Sequence, residues 1–360
     1  MKMLPLLFLL TLGTAEQTYG PYARPDRGGV QSIVAARGRV LLAWSEKVES
    51  GHARVHVVLL NAAGEAISPI RVLPALSPNR DAVVPAVGTD GMSFLVVWEE
   101  VLGVQQSVAL ALGPGLEPTG APQPVGNPVT IPGNEYEPAR VTWHNGSYAV
   151  YTGTKNSWRV AAAGMPIGAV NMVPMAVAAD GSVGHVTSRR VVTGTIGRPG
   201  GTTYYYAIAW QAGAAAATEI AFATEASAPV IVAAGTKFVI VWTTRNDIHY
   251  RLSYELQRRV VNANVDESAR PRIACGATQC VVVYGTLKGD VEGFVFDHTS
   301  RAWPTFFTVA KSERIEREPE VVLTSATRAL VTWRSMGTDG EKLAGVTLRI
   351  GPTKHRATDP

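Results

Sequence analysis

Residues 229–242 read Pro-Val-Ile-Val-Ala-Ala-Gly-Thr-Lys-Phe-Val-Ile-Val-Trp: two apolar runs of β-formers hinged at Gly235, opened by a proline and closed by a tryptophan. The spacing recurs. Pro85 leads to Trp98, Pro138 to Tyr151 and Pro271 to Tyr284, each thirteen residues on, as Pro229 does to Trp242. Pro319 to Trp333 keeps the pattern with one residue inserted, and Ser32 to Trp44 keeps it with one deleted and the proline lost. Such a period marks one supersecondary unit copied along the chain.

The runs that end in the aromatic are apolar at every position, as in Phe94 to Trp98 and Phe238 to Trp242. A strand with one wet face alternates, so these strands have both faces covered. The segment after each proline is the first strand of a unit, a glycine such as Gly91 or Gly235 makes the turn, and the aromatic run is the second strand. Third strands are expected at 55–60, 107–112, 158–163, 219–224, 248–254, 292–296 and 343–350, and weaker fourth strands at 70–73, 129–131 and 306–310. Between Thr224 and Pro229 there is no room for a fourth. Helical periodicity is almost absent.

Second strands ending at Trp44, Trp98, Tyr151, Trp210, Trp242, Tyr284 and Trp333 give separations of 54, 53, 59, 32, 42 and 49. Four-stranded sheets of this length, covered on both faces by their neighbours, close radially. The expected fold is all-β, a β-propeller of four-stranded antiparallel blades, with seven blades favoured and six possible, because 186–203 carries no proline thirteen before Trp210. The last unit ends after its third strand near Ile350, and residues 16–29 hold a possible ring-closing strand. The propeller itself is expected over 30–350, with 351–360 as a tail.

The motif Pro-x-Val-Ala-x-x-Gly-x-x-Phe-Val-Ile-Val-Trp, with a cysteine pair around one turn, resembles that of secreted bacterial β-propeller-like repeat proteins over residues 30–348. The resemblance implies fold and export, and assigns no common activity.

Lys2, the apolar run from Met3 to Leu12 and the small residues Gly13 and Ala15 predict a secretory signal over 1–15, cleaved before Glu16. That run is far shorter than the roughly 20 residues of a spanning helix. A formal charge of +4 with scattered basic residues leaves no nucleic-acid footprint. The only cysteines, Cys275 and Cys280, fall at the positions of Ala233 and Phe238 in the repeat, on either side of a hairpin turn. A local disulfide is expected.

No Asp box, HExxH, GxSxG elbow or phosphate loop is present, and the seven histidines form no ligand cluster. No metal or cofactor is expected. His52 and His56 are four apart, but across a loop and a strand start. What remains is the polar run just past each aromatic, where loops between second and third strands gather at one rim. Its candidates are Glu46, Glu99, Glu100, Gln211, Arg245 and Arg334, joined by Trp158, Asp247 and His249. The reading is an exported, non-enzymatic, monomeric propeller binding a protein or carbohydrate ligand through this loop face. The alternative is a polysaccharide-active hydrolase or lyase with carboxylates at the central channel, Glu46, Glu99 and Glu100 foremost. A structural module of an envelope complex is the third.

Overall fold

The computed structural model describes residues 12–22, 31–102, 104–125, 136–144, 146–154, 157–162, 175–178, 180, 182–195, 202–212, 218–223, 229–244, 247–255, 257–263, 265, 271–300, 302–338 and 340–351. Among them are twenty-seven strands and no helix. Sheet I holds β2 (Gln31–Ala36), β3 (Arg39–Lys47), β4 (Ala53–Asn61) and β5 (Arg71–Val72). Sheet II holds β6 (Asp81–Thr89), β7 (Phe94–Leu102), β8 (Val104–Leu112) and β9 (Gln123–Pro124). Sheet III shows β10 (Tyr136–His144), β11 (Ser147–Thr154) and β12 (Ser157–Ala162). Sheet IV holds β13 (Met175–Val177), β14 (Val183–Thr195), β15 (Thr202–Ala212) and β16 (Thr218–Ala223). Sheet V holds β17 (Val230–Ala234), β18 (Lys237–Thr244), β19 (Asp247–Leu252) and β20 (Arg259–Asn262). Sheet VI holds β21 (Arg272–Cys275), β22 (Gln279–Gly285), β23 (Val291–Asp297) and β24 (Thr305–Ala310). Sheet VII holds β25 (Ile315–Ser325), β26 (Arg328–Gly337) and β27 (Gly340–Arg349), with β1 (Leu12–Tyr22) paired antiparallel to β27 on its outer side.

Each sheet is an antiparallel meander, and the first strands touch in cyclic order: β2 with β6, then β10, β13, β17, β21 and β25, which returns to β2. First strands therefore surround an axis, and later strands step outward from it. This is a β-propeller. The contact of sheet VII with sheet I is made by side chains as well: Thr324 Oγ1 donates to the Ala62 carbonyl at 3.1 Å and Thr347 Oγ1 to that of Ala63 at 2.8 Å.

The apolar runs are wedged between sheets by alternation. In β3, Leu41 and Ala43 pack toward sheet II, while Val40, Leu42 and Trp44 pack toward Leu330 and Leu343 of sheet VII. The large aromatics obey one rule, for Trp98 faces sheet I, Trp242 faces sheet IV, Tyr284 faces sheet V and Trp333 faces sheet VI. Each points at the preceding sheet and is at most 2% exposed. At about 25 cal/mol per Å² of apolar surface, each contributes a few kcal/mol.

The prolines sit at irregularities of the first strand. Register shifts fall between Val83 and Ala86, Glu137 and Arg140, and Arg317 and Glu320, each spanning the proline. Proline lacks the N–H a ladder needs, and a bulge is where its absence costs least. The preceding residues Val84 and Glu318 have φ of 54° and 52°. Gly91 and Gly235 hold the left-handed backbone of their turns, at φ 92° and 66°.

The fourth unit differs from expectation. Trp210 lies on β15, the third strand of sheet IV, where it pairs with Val186 of β14. The second strand is β14, whose Thr187, Ser188, Arg189 and Arg190 interrupt the apolar run that marks its counterparts. The sheet thus begins at Met175, and the expected third strand at 219–224 is the fourth strand, β16. The missing room for a fourth strand before Pro229 was an error of one strand. The short fourth strands β5 and β24 fall where expected, β9 lies upstream of 129–131, which is outside the described residues, and β20 had no counterpart in the expectation.

Candidate functional site

The rim carboxylates are occupied by their own sheets. Two residues along a strand return a side chain to the same face, so Glu46 sits beside Trp44 and Glu100 beside Trp98. The Trp44 indole donates to Glu46 Oε2 at 2.9 Å and the Trp98 indole to Glu100 Oε1 at 3.3 Å. Glu100 also accepts the backbone N–H groups of Leu76 and Ser77, at 2.6 and 2.9 Å, and so pins the loop that leads from sheet I into sheet II. It is fully buried.

Glu99 faces the other way, toward sheet III, and is 2% exposed. Ser107 Oγ lies 2.8 and 2.9 Å from its two oxygens. Burial pushes its carboxyl up to about 7, against hydrogen bonds from Gln105 and Ser107 that pull it down. The adjacent pair Glu99 and Glu100 thus serves two different inter-sheet spaces.

His249 stacks on Trp242 across the strand pair, with ring centroids 5.6 Å apart, and Thr244 Oγ1 lies 2.5 Å from its Nε2. Burial lowers its affinity for a proton, as does the charge of Arg258, while Asp247 at the start of β19 opposes both. His56 repeats the arrangement on Trp44 at 5.5 Å, and burial lowers it too. The helical spacing of His52 and His56 has no bearing here: His52 instead lies 3.3 Å from Asp81.

Arg334 is 2% exposed and bridges Glu318 at 2.7 Å and Glu341 at 2.8 Å within sheet VII. Gln211, at the end of the third strand β15, lies at the rim opposite to the others, as its pairing with His185 near the start of β14 requires. The contact of Trp210 with Phe238, at the far end of β18 from Trp242, shows the same displacement. Trp158 stands at the start of β12, paired with Gly153, and its side chain is outside the described residues, as is the whole of Arg245. The rim candidates are therefore dispersed among sheets I, II, III, IV, V and VII.

A second set of charged residues lies on first strands. Arg140 on β10, Arg272 on β21 and Glu320 on β25 all belong to first strands, in sheets III, VI and VII. Arg272 Nε lies 2.6 Å from Glu320 Oε1. Sheets III and VI are not neighbours in the cyclic order, yet the charge of Arg272 reaches Arg140. Burial first, then that repulsion, bring the Arg140 guanidinium down to about 10, with Glu320 opposing. Arg140 Nε and Arg272 Nη1 are buried with no acceptor among the described residues. The bulges between Glu137 and Arg140 and between Arg317 and Glu320 directly precede two members of the group, and a bulge re-aims the side chain that follows it. In the sequence the signal was a charged residue one or two places after the repeat proline, in Pro138-Ala-Arg140, Pro271-Arg272 and Pro319-Glu320, where other units hold apolar residues.

Cys275 and Cys280 face each other on β21 and β22 and form a disulfide. Among the described residues no group of three or more His, Cys, Asp or Glu could hold a metal, and no helix is long and apolar enough to cross a membrane.

No family model matches the chain, and no curated protein does. Solved structures do. The β-propeller domain of the Trilobed protease from Pyrococcus furiosus, described as having an open velcro topology, is 7% identical with a TM-score of 0.51, covering 96% of this chain and 99% of that one. A protein of unknown function from Dyadobacter fermentans is 10% identical with a TM-score of 0.52, covering 93% and 99%. A puromycin-hydrolyzing peptidase of Mycobacterium tuberculosis is 12% identical with a TM-score of 0.53, covering 95% of this chain and 55% of its own. At such identities the likeness speaks for the β-propeller fold alone.

Proposed function

We propose that the protein is an exported, non-enzymatic β-propeller that binds a ligand or a protein partner through its axial and loop face, with the seven sheets as its complete set of blades. The observation that carries the reading is the state of the carboxylates. Glu46 and Glu100 accept indole protons, and Glu99 and Glu100 are sealed from solvent, so neither can meet a glycosidic oxygen. Acid–base hydrolysis of a sugar needs two accessible carboxyl groups flanking the bond.

The hydrolase reading keeps one supporting observation: a carboxyl held up to about 7 is what a general acid requires. A glycan array and a panel of nitrophenyl glycosides, both run on the purified full chain, separate the two. Retention on the array without turnover is expected. Turnover that disappears in Glu99→Gln would replace this reading with the hydrolase.

Export is supported by the apolar leader and by the disulfide, which persists in oxidising compartments. A mature N-terminus at Glu16, read by mass spectrometry of exported protein, is the expected result. The strand β1 then acts from Gln17 onward as the clasp of the ring, since Gln17 pairs with Gly345 and Tyr22 with Glu341. A monomer is expected, because ring closure leaves no first strand without a neighbour.

A further inference from the structure

Each sheet ends in an outermost strand whose outer backbone groups face water, and such an edge pairs with a further chain unless charge, proline or brevity blunts it. Six of the seven outermost described strands carry a charged residue or a proline: Arg71 in β5, Pro124 in β9, Arg159 in β12, Glu219 in β16, Arg259 in β20, and Glu16 with Pro21 in β1. The outermost strand of sheet VI, β24, reads Thr-Phe-Phe-Thr-Val-Ala and carries neither. Its one register shift involves Val309, so Thr305 to Thr308 run in unbroken pairing against Val295 to Glu292.

The strand is a firm template. Gly293 lets the Phe307 ring lie on the backbone of β23, where a Cβ would stand 2.7 Å from its Cζ. The Phe306 ring packs 5.7 Å from Phe294, which meets Tyr250 of sheet V at 5.9 Å. Phe306 is nevertheless 53% exposed, and Trp303, two residues before the strand, is 85% exposed. Thr305, Thr308 and Lys311 are exposed too. Large aromatics standing in water beside an unblunted edge mark an interaction surface rather than a part of the core.

We propose that β24 is a docking edge, where an extended segment of a partner protein adds as a fifth strand of sheet VI. The inference goes beyond the loop-face reading and does not depend on it. The chemistry of the edge selects the occupant: a row of backbone N–H and C=O groups at strand spacing is matched by another extended backbone, and not by a sugar or an ion. The segment carries apolar side chains at alternate positions, to cover Phe306, and an acidic residue at the end that meets Lys311.

The test is selection of random decapeptides displayed on phage against the immobilised full chain, with Phe306→Lys, Thr308→Lys as the counter-selected double variant. Both positions are exposed, and circular dichroism checks that the variant folds. Enriched peptides are then synthesised plain and with either alternate set of backbone nitrogens methylated. Binders are expected to carry alternating apolar residues and an acidic end, and to protect amides within 305–310 from hydrogen exchange. Affinity is expected to be at least tenfold weaker for the double variant, and as much weaker when one set of nitrogens, but not the other, is methylated. No enrichment over the double variant, or binding that survives methylation of either set, would overturn the edge. Peptides that protect the loops after Trp44, Trp98 and Trp242 instead would overturn the edge and leave the loop-face reading standing. A concentration-dependent dimer in light scattering, dissolved by the two lysines, would assign the edge to a second copy of this chain and overturn the partner.

Discussion

The indole N–H of Trp98 and the carboxylate of Glu100, two residues apart on one strand, meet at 3.3 Å inside a fully buried space between sheets I and II. Sheet I has the same pair in Trp44 and Glu46. Sheets V and VII place Thr244 and Ser335 two residues past their tryptophans, and the Nε1 atoms of Trp242 and Trp333 have no acceptor among the described residues. The carboxylate is thus a local solution to burying a tryptophan, with a second duty in sheet II, where it also binds the loop at Leu76 and Ser77. Replacing Glu100 by alanine leaves three donors without an acceptor. Urea unfolding is expected to show a loss of about 3 kcal/mol, against about 1 kcal/mol for Glu46→Ala, where water reaches the gap. Equal losses at the two positions would contradict the assignment.

Glu99 and the stacked histidines impose opposite pH dependences. Glu99 is raised from 4.5 to about 7 in the folded chain, so the folded state binds the extra proton between those values. Its contribution is full below about pH 4.5 and is lost as pH rises through 7, a difference of about 3 kcal/mol at most. Glu99→Gln is expected to gain stability over the wild type at pH 8 and little at pH 4.5. His56 and His249 are lowered, so the unfolded chain takes their protons first, and stability falls as pH drops below 6.5. In His249→Phe that acid loss is expected to shrink. Unfolding midpoints across pH 4.5 to 8 check both signs.

Deleting residues 16–26 removes most of the partner of β27 and re-exposes its outer edge. The melting temperature is expected to fall by more than about 3 °C, the effect of a kcal/mol or so in a chain of this size. An unchanged melting temperature would mean that the clasp contributes nothing.

The disulfide closes a loop of only six residues from Cys275 to Cys280. Loop-closure entropy then gives about 2 kcal/mol. Reduction, or Cys275→Ala with Cys280→Ala, is expected to lower unfolding free energy by that amount while leaving the β-sheet circular dichroism unchanged. Collapse of the spectrum would show that the bond is needed to form sheet VI at all.

The repeat was legible because burial on both faces leaves a chemical trace, an unbroken apolar run closed by an aromatic, and Pro229 to Trp242 carries it in full. Sheet IV was misread by one strand because β14 lacks that run, while Trp210 on β15 imitates its end. β5 and β9, two residues each with exposed side chains, leave almost no trace. The rim residues could be placed at a loop face, but their engagement by Trp44, Trp98, Ser107 and Glu318 depends on pairings that no local pattern reveals. Arg140, Arg272 and Glu320 carry no sequence signal beyond a charge placed just after the repeat proline. Only the packing of sheet VI on sheet VII brings positions 272 and 320 together.

A crystal structure of the full chain tests the central claim most directly. The account predicts β25 beside β2, with Trp44, Trp98, Trp242, Tyr284 and Trp333 each packed on the sheet before its own. An open two-layer stack, or these aromatics in unrelated surroundings, would contradict it.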